Sequence, residues 1–298
     1  MERPTGKRGQ PGGPQSAGGT SAAGTSAAST EARNARARTL SKMSTRQILE
    51  LINDEDATVA ASVHAALPQI ERAVDLIVPA LASGHRLFYV GAGTSGRLGV
   101  LDASEMPPTF GVEPELVTGI IAGGDHALRM SIEGAEDQAP AGTRDLGAVC
   151  KPGDVVVGIS ASGRAPYVVA AVEKAKADFG AAGTIAITCN PDSALTRTAD
   201  VPIVVEVGPE VIAGSSRMKA GTATKLVLNM LSTTSMVRLG RTRDDLMVDL
   251  RATNEKLRQR AIGMVAREAG ISADDAERRL KTWGWHVRAA IEDRWPAS

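Results

Sequence analysis

Residues 86–96 read RLFYVGAGTSG: an apolar run, then glycines and hydroxyls, then the start of a helical pattern. Such a run of five or so residues, too short for a helix and closed by glycine, is a buried strand. Similar Val- and Ile-rich runs recur at 115–122, 154–160, 184–189 and 202–207, separated by helical or turn-rich sequence. Strands that are apolar without alternation are covered on both faces, so the pattern predicts an α/β fold with a parallel sheet between two layers of helices. Upstream, 44–51 and 59–81 carry apolar residues at helical spacing, with Ser44 as N-cap and Gln47 at the capping-box position. Downstream, 219–239 predicts a long buried helix.

The ends of the chain differ from this middle. Residues 1–38 contain no Leu, Ile, Val, Phe, Tyr or Trp, and such a segment buries too little apolar surface to order itself. They are expected to be a disordered tail. After about 251 the periodicity becomes that of charged helices, at 254–268, 272–281 and 285–293, with all three tryptophans at 283, 285 and 295. The division expected is a tail over 1–38, a phosphate-binding α/β domain over 39–252 and a three-helix module over 253–298.

Composition excludes several functions. The 34 basic residues balance 34 acidic ones, so no field exists to hold nucleic acid or an anionic membrane. No apolar stretch approaches the roughly 20 residues of a membrane span, and the start of the chain has no signal-peptide core. Cys150 and Cys189 have no Cys-x-x-Cys spacing, and the four histidines are scattered, so no metal site is expected. A reducing, cytoplasmic setting is the expectation.

The turns after the strands carry the chemistry. Gly91-Ala92-Gly93-Thr94-Ser95-Gly96 opens a helix, where free N–H groups and the dipole favour an anion. A dinucleotide site would want an acidic residue at the end of the next strand, but that strand runs into Gly123-Gly124. Thr94 and Ser95 suit a small phosphate ester better, with Gly96 giving backbone access. Ser160, Ser162 and Gly163 repeat the arrangement after another strand, and Ser215, Ser216 and Lys219 form a third hydroxyl cluster before the long helix. Arg97 and Arg164 could serve an anion or a neighbouring carboxylate. For proton transfer the candidates are Glu105, just before Pro107-Pro108, and the cluster Glu133, Glu136 and Asp137.

The run VGAGTSGRLGVLDASEMPPTFG (90–111) closely resembles the N-acetylmuramic acid 6-phosphate etherases, members of the sugar isomerase (SIS) fold group. The resemblance continues through IAGGDHALRMSIEGAED (121–137), GISASGRAPYV (158–168) and EVIAGSSRMKAGTATKLVLNMLST (210–233), covering roughly residue 30 to the C-terminus. It implies a carbon-oxygen lyase that removes lactate from the sugar phosphate and adds water, in recycling of cell-wall sugar, without metal or redox cofactor. It also implies that Glu105 and Glu136, rather than Glu133, are the active-site glutamates. The C-terminal helices resemble the ubiquitin-associated-like helices of that family, and a homodimer is expected from the fold group. Lys219 is expected to orient the lactyl carboxylate. The amino-terminal RNARART (33–39) departs from the family's usual opening. A sugar-phosphate isomerase of the same fold would release no lactate, and a non-catalytic sensor would more naturally carry a DNA-reading domain; an oxidoreductase is the weakest alternative.

Overall fold

A computed structural model describes residues 29–250, 252 and 254–292 of the chain. Three helices lead in: α1 (Thr45–Asp56), α2 (Val59–Ala65) and α3 (Leu67–Ala82). Ser44 caps α1 reciprocally with Gln47, its hydroxyl accepting from the Gln47 N–H at 3.3 Å while the Gln47 side chain accepts from the Ser44 N–H at 2.8 Å. The core then alternates strand and helix: β1 (Leu87–Gly91), α4 (Gly93–Ser104), α5 (Met106–Phe110), β2 (Val117–Ile121), α6 (Ala139–Gly147), β3 (Val155–Ile159), α7 (Pro166–Ala177), β4 (Gly183–Thr188), α8 (Ala194–Thr198), β5 (Val201–Val204) and α9 (Lys219–Arg238).

The five strands are parallel, in the order β2-β1-β3-β4-β5. Because side chains alternate along a strand, Leu87, Tyr89, Val155, Val157, Ile185 and Ile187 face one layer, with α2, α3 and α9, while Phe88, Val90, Val156 and Ala186 face α7. Each fully buried aliphatic side chain contributes about 1.5–3 kcal/mol, so both faces are held by the same term. The strand order reverses between β1 and β3, which opens a crevice above Gly91 and Ile159, paired neighbours at the carboxyl ends of the two strands. At that crevice α4 begins in backbone contact with β1. A Cβ on Gly96 would stand 2.8 Å from the Gly91 carbonyl oxygen and 2.6 Å from Ile121 Cγ1.

The chain ends in α10 (Glu255–Ala269), α11 (Ala273–Thr282) and α12 (Val287–Glu292), with Asn254 and Ser272 as N-caps and Gly270 at φ +66° closing α10. These helices share a cluster with Val248 and Leu250. Arg288 ties them down, gripping Asp249 at 2.7 and 3.0 Å and donating to the Gly240 carbonyl at 2.6 Å. Among the described residues no helix is long and apolar enough to cross a membrane.

One expectation is corrected. Of the tail expected to be disordered over 1–38, residues 1–28 lie outside the described residues, but the last ten are folded into short turns and bury Thr30 and Asn34. They dock without apolar side chains. The Thr30 carbonyl accepts from the Gly214 N–H at 3.1 Å, Asn34 donates to the Pro209 carbonyl at 3.5 Å, and Arg36 pairs with Asp54 at 2.6 Å and Glu55 at 3.4 Å.

Candidate active site

The crevice at the strand ends is a cleft of about 220 Å³. Its first wall is the turn into α4. The first intrahelical bond there is Gly96 N–H to the Ala92 carbonyl, at 3.2 Å, and no side chain caps the helix. The N–H groups of residues 93–95 therefore precede the ladder, pointing along the positive end of the dipole, and Thr94 and Ser95 line the cleft beside them. Gly96 itself has another part: its N–H is used in the helix, and its missing side chain lets α4 meet β1.

The second wall follows β3. Ser160 is buried, and its hydroxyl oxygen accepts the Gly163 N–H at 3.1 Å; the Ser162 oxygen accepts the Arg164 N–H at 3.2 Å. Backbone donors thus fix both oxygens, which stand 3.4 Å apart, and both side chains line the cleft. Hydroxyls held in this way can turn their protons toward an anion. Gly163 differs from its expected role. At φ +66°, its N–H is engaged by Ser160, and a Cβ there would overlap Ser193. It shapes the turn and leaves no backbone donor for a ligand.

In the third loop Ser216 lines the cleft with Gly214, whereas Ser215 is absent from the lining. Lys219 is also placed elsewhere. Its Nζ lies 2.7 Å from Glu55 Oε2 with its side chain only 4% exposed, and its N–H caps onto the buried carboxylate of Glu210 at 2.9 Å. Burial pushes the Glu55 carboxyl up, but the bonds from Lys219 and Asn34 and the charges of Lys219 and Arg36 outweigh it and hold the group below the ordinary carboxylate range. An ammonium so enclosed is a structural cation under the loop.

The acidic candidates separate. Glu136, on a short turn at Ala135–Asp137, lines the cleft with the hydroxyls and also an adjoining cavity, whereas Glu133 lines only that cavity and accepts from the Ser131 hydroxyl at 3.2 Å. Arg97 holds the loop before Glu136 to α4 by donating to the carbonyls of Leu128 at 3.1 Å and Met130 at 3.4 Å. Glu105 is exposed at the other end of α4. The twelve residues of α4 lie between its start at the cleft and Glu105, about 18 Å at 1.5 Å each, so Glu105 stands at the end of the helix away from the cleft. Three residues before it, buried Asp102 accepts from the Tyr89 hydroxyl at 3.0 Å, Asn229 Nδ2 at 2.7 Å and the Ser232 hydroxyl at 3.2 Å. Burial raises that carboxyl, partly offset by the three donors. The network pins the end of α4 to α9.

The cleft also contains residues that the sequence reading leaves out: Thr30 and Glu31, from the docked segment. The signal available was the onset of the family likeness near residue 30. A larger cavity, of about 620 Å³, lies by Gly111 and α12; its Asp249 and Arg288 are paired with each other, and none of the motif hydroxyls reaches it. Among the described residues no group of three or more His, Cys, Asp or Glu side chains could hold a metal ion.

Residues 69–176 match the glucokinase regulatory protein N-terminal SIS domain, and residues 137–234 match the SIS domain. A protein of Symbiobacterium thermophilum named N-acetylmuramic acid 6-phosphate etherase is 57% identical over 252 residues, 85% of this chain and 83% of its own length. N-acetylmuramic acid 6-phosphate etherase 2 of Vibrio parahaemolyticus is 51% identical over 253 residues, 85% of this chain and 84% of its own. A protein of Streptomyces avermitilis named N-acetylmuramic acid 6-phosphate etherase is 52% identical over 253 residues, 85% of this chain and 81% of its own.

Proposed function

The chain belongs to the N-acetylmuramic acid 6-phosphate etherase family, and from that premise we propose that its cleft cleaves the D-lactyl ether at carbon 3 of N-acetylmuramic acid 6-phosphate, giving N-acetylglucosamine 6-phosphate and D-lactate. The phosphate sits between the two turns, on the N–H groups of residues 93–95 and the hydroxyls of Thr94, Ser95, Ser160, Ser162 and Ser216. That anchor leaves carbons 1 to 3 of the open-chain sugar extended along the cleft. The observation that carries the reading is the presence of Glu136 in the same cleft as these hydroxyls.

The proton on carbon 2 is acidified by the neighbouring aldehyde. A carboxylate removes it, the electron pair forms the carbon 2–carbon 3 double bond, and the bond from carbon 3 to the lactyl oxygen breaks as that oxygen takes a proton from an acid. Water then adds to carbon 3 and the proton returns to carbon 2. The aldehyde stabilises the developing charge, so the scheme needs no metal or redox cofactor. Glu105 is assigned to the proton on carbon 2, and Glu136 to the lactyl oxygen.

Glu105 lies about 15–18 Å along α4 from the residues of its own cleft, so in this scheme it serves the cleft of a second copy. Leu101, one helical turn before it and 54% exposed, gives the same face an apolar contact for a partner helix. A homodimer with shared sites is the assembly proposed, working in the cytoplasm on a free phosphosugar. The test is to incubate the full chain with N-acetylmuramic acid 6-phosphate and assay D-lactate beside Glu105→Gln. Lactate from the unmodified chain alone supports the reading. Intact binding of the sugar phosphate with no lactate released from either protein would favour an isomerase instead.

A further inference from the structure

We infer that Glu31 is a substrate-binding residue, accepting hydrogen bonds from the hydroxyl or amide groups of the bound phosphosugar. The inference rests on the cleft being a phosphosugar site. Glu31 lines that cleft with Ser95, Ser160 and Glu136. Its carboxylate has no hydrogen-bond or ion-pair partner among the described residues, and Oε2 lies 2.9 Å from where a Cβ on Gly214 would stand. Gly214, at φ +76°, is thus bare on the side over which the carboxylate is laid.

An exposed glutamate is ordinarily a solvated one. The segment carrying this one is fixed on both sides of the site, by the Thr30 carbonyl on the Gly214 N–H and by Arg36 on the same Glu55 that holds Lys219. The backbone of residue 31 is therefore a wall of the cleft. Chemistry then restricts what Glu31 can meet. No lysine or arginine is among the residues lining the cleft, so its carboxylate has no cation to neutralise there, and it repels a phosphate. An ionised carboxylate is an acceptor only, and the neutral donors of a sugar phosphate are its hydroxyls and amide N–H. Glu31 accordingly reads the sugar, while the serine and threonine hydroxyls hold the phosphate.

The experiment titrates the unmodified full-length chain, Glu31→Ala and Glu31→Gln calorimetrically with N-acetylglucosamine 6-phosphate and, separately, with inorganic phosphate. Glu31→Ala is expected to weaken the sugar phosphate about tenfold or more, with inorganic phosphate unchanged or slightly tighter, since a charge-assisted bond is lost and a repulsion removed. Glu31→Gln keeps a carbonyl acceptor and falls between. Equal weakening of both ligands would assign Glu31 to the folding of the wall, and no change in either would make it solvated; both outcomes overturn the inference. Because the readout is binding, selective loss in Glu31→Ala stands even if no D-lactate is released, and lactate release stands even if Glu31 is idle.

Discussion

Two individually inactive variants should restore each other when they share one dimer. Glu105 follows Thr94 and Ser95 by eleven and ten residues of α4, which puts it about 15–17 Å along the helix from hydroxyls that share a cleft with Glu136. A glutamate side chain spans only a fraction of that distance, so the proposed scheme takes Glu136 from one chain and Glu105 from the other. Glu105→Gln and Glu136→Gln homodimers should each lose about 10²–10⁴ in kcat, the usual share of a general acid or base. When the two variants are co-expressed with different tags and dimers carrying both tags are purified, one of the two sites has both glutamates intact and the other has neither. D-Lactate release per mixed dimer should then be about half that of the unmodified dimer, by the two-fold symmetry. Mixed dimers as inactive as the parents would refute the reasoning, because a site built within one chain carries one lesion in every copy.

Lys219→Met should lower the unfolding free energy by about 2 kcal/mol in urea titrations near neutral pH, because Glu55 loses the enclosed ammonium at 2.7 Å and keeps, of its two ion pairs, only the longer contact with exposed Arg36 at 3.4 Å. Since the folded Glu55 carboxyl is held below its unfolded value, its contribution is complete above the ordinary carboxylate range and disappears as pH falls through the folded value. The difference between Lys219→Met and the unmodified chain should therefore shrink on acidification, and a constant difference would count against the pair. Gly163→Ala, at φ +66° with Ser193 in the way, should cost roughly 2 kcal/mol or more and weaken phosphate binding with it, read by thermal melts and calorimetry. Asp102→Ala leaves Asn229 and Ser232 without their shared acceptor and should lower stability by about 1–3 kcal/mol, measured by denaturant titration.

The strands were legible for their Val and Ile content: the run at 154–160 encloses β3 (Val155–Ile159), fully buried and without a polar residue, and the run at 115–122 encloses β2 (Val117–Ile121), which keeps the apolar pattern despite Thr118 and a half-buried middle. The start of α1 was legible for a different reason, since Ser44 and Gln47 satisfy each other within one turn and need no distant partner. Periodicity misses a segment that docks through carbonyls, an amide and a guanidinium, which is why Thr30 and Glu31 are absent from a reading of composition. Lys219 in a loop of hydroxyls reads as a ligand cation until the fold sets Glu55, 164 residues earlier, beneath it. Gly96 and Gly163 sit in the turns that the sequence predicts, but their N–H groups are bonded within the fold to the Ala92 carbonyl and the Ser160 hydroxyl, partners that a motif does not reveal. The distance from Glu105 to the cleft is legible once the helix is assigned, though a motif alone gives no sense of which end a residue occupies.

A cleft whose lining joins hydroxyls and amide groups to the carboxylates of Glu31 and Glu136, with no lysine or arginine among its residues, discriminates among anions. Fixed dipoles act at contact range, whereas a cationic patch reaches out over about a Debye length, some 8 Å in physiological salt. Nucleic acids, nucleotides and polyphosphates, all far more abundant in charge than a single sugar phosphate, find little at this mouth to draw them in. In the proposed scheme occupancy is decided by whether a terminal phosphate monoester fits between two turns, and added salt should not weaken it, since salt screens the repulsion from the two carboxylates rather than an attraction.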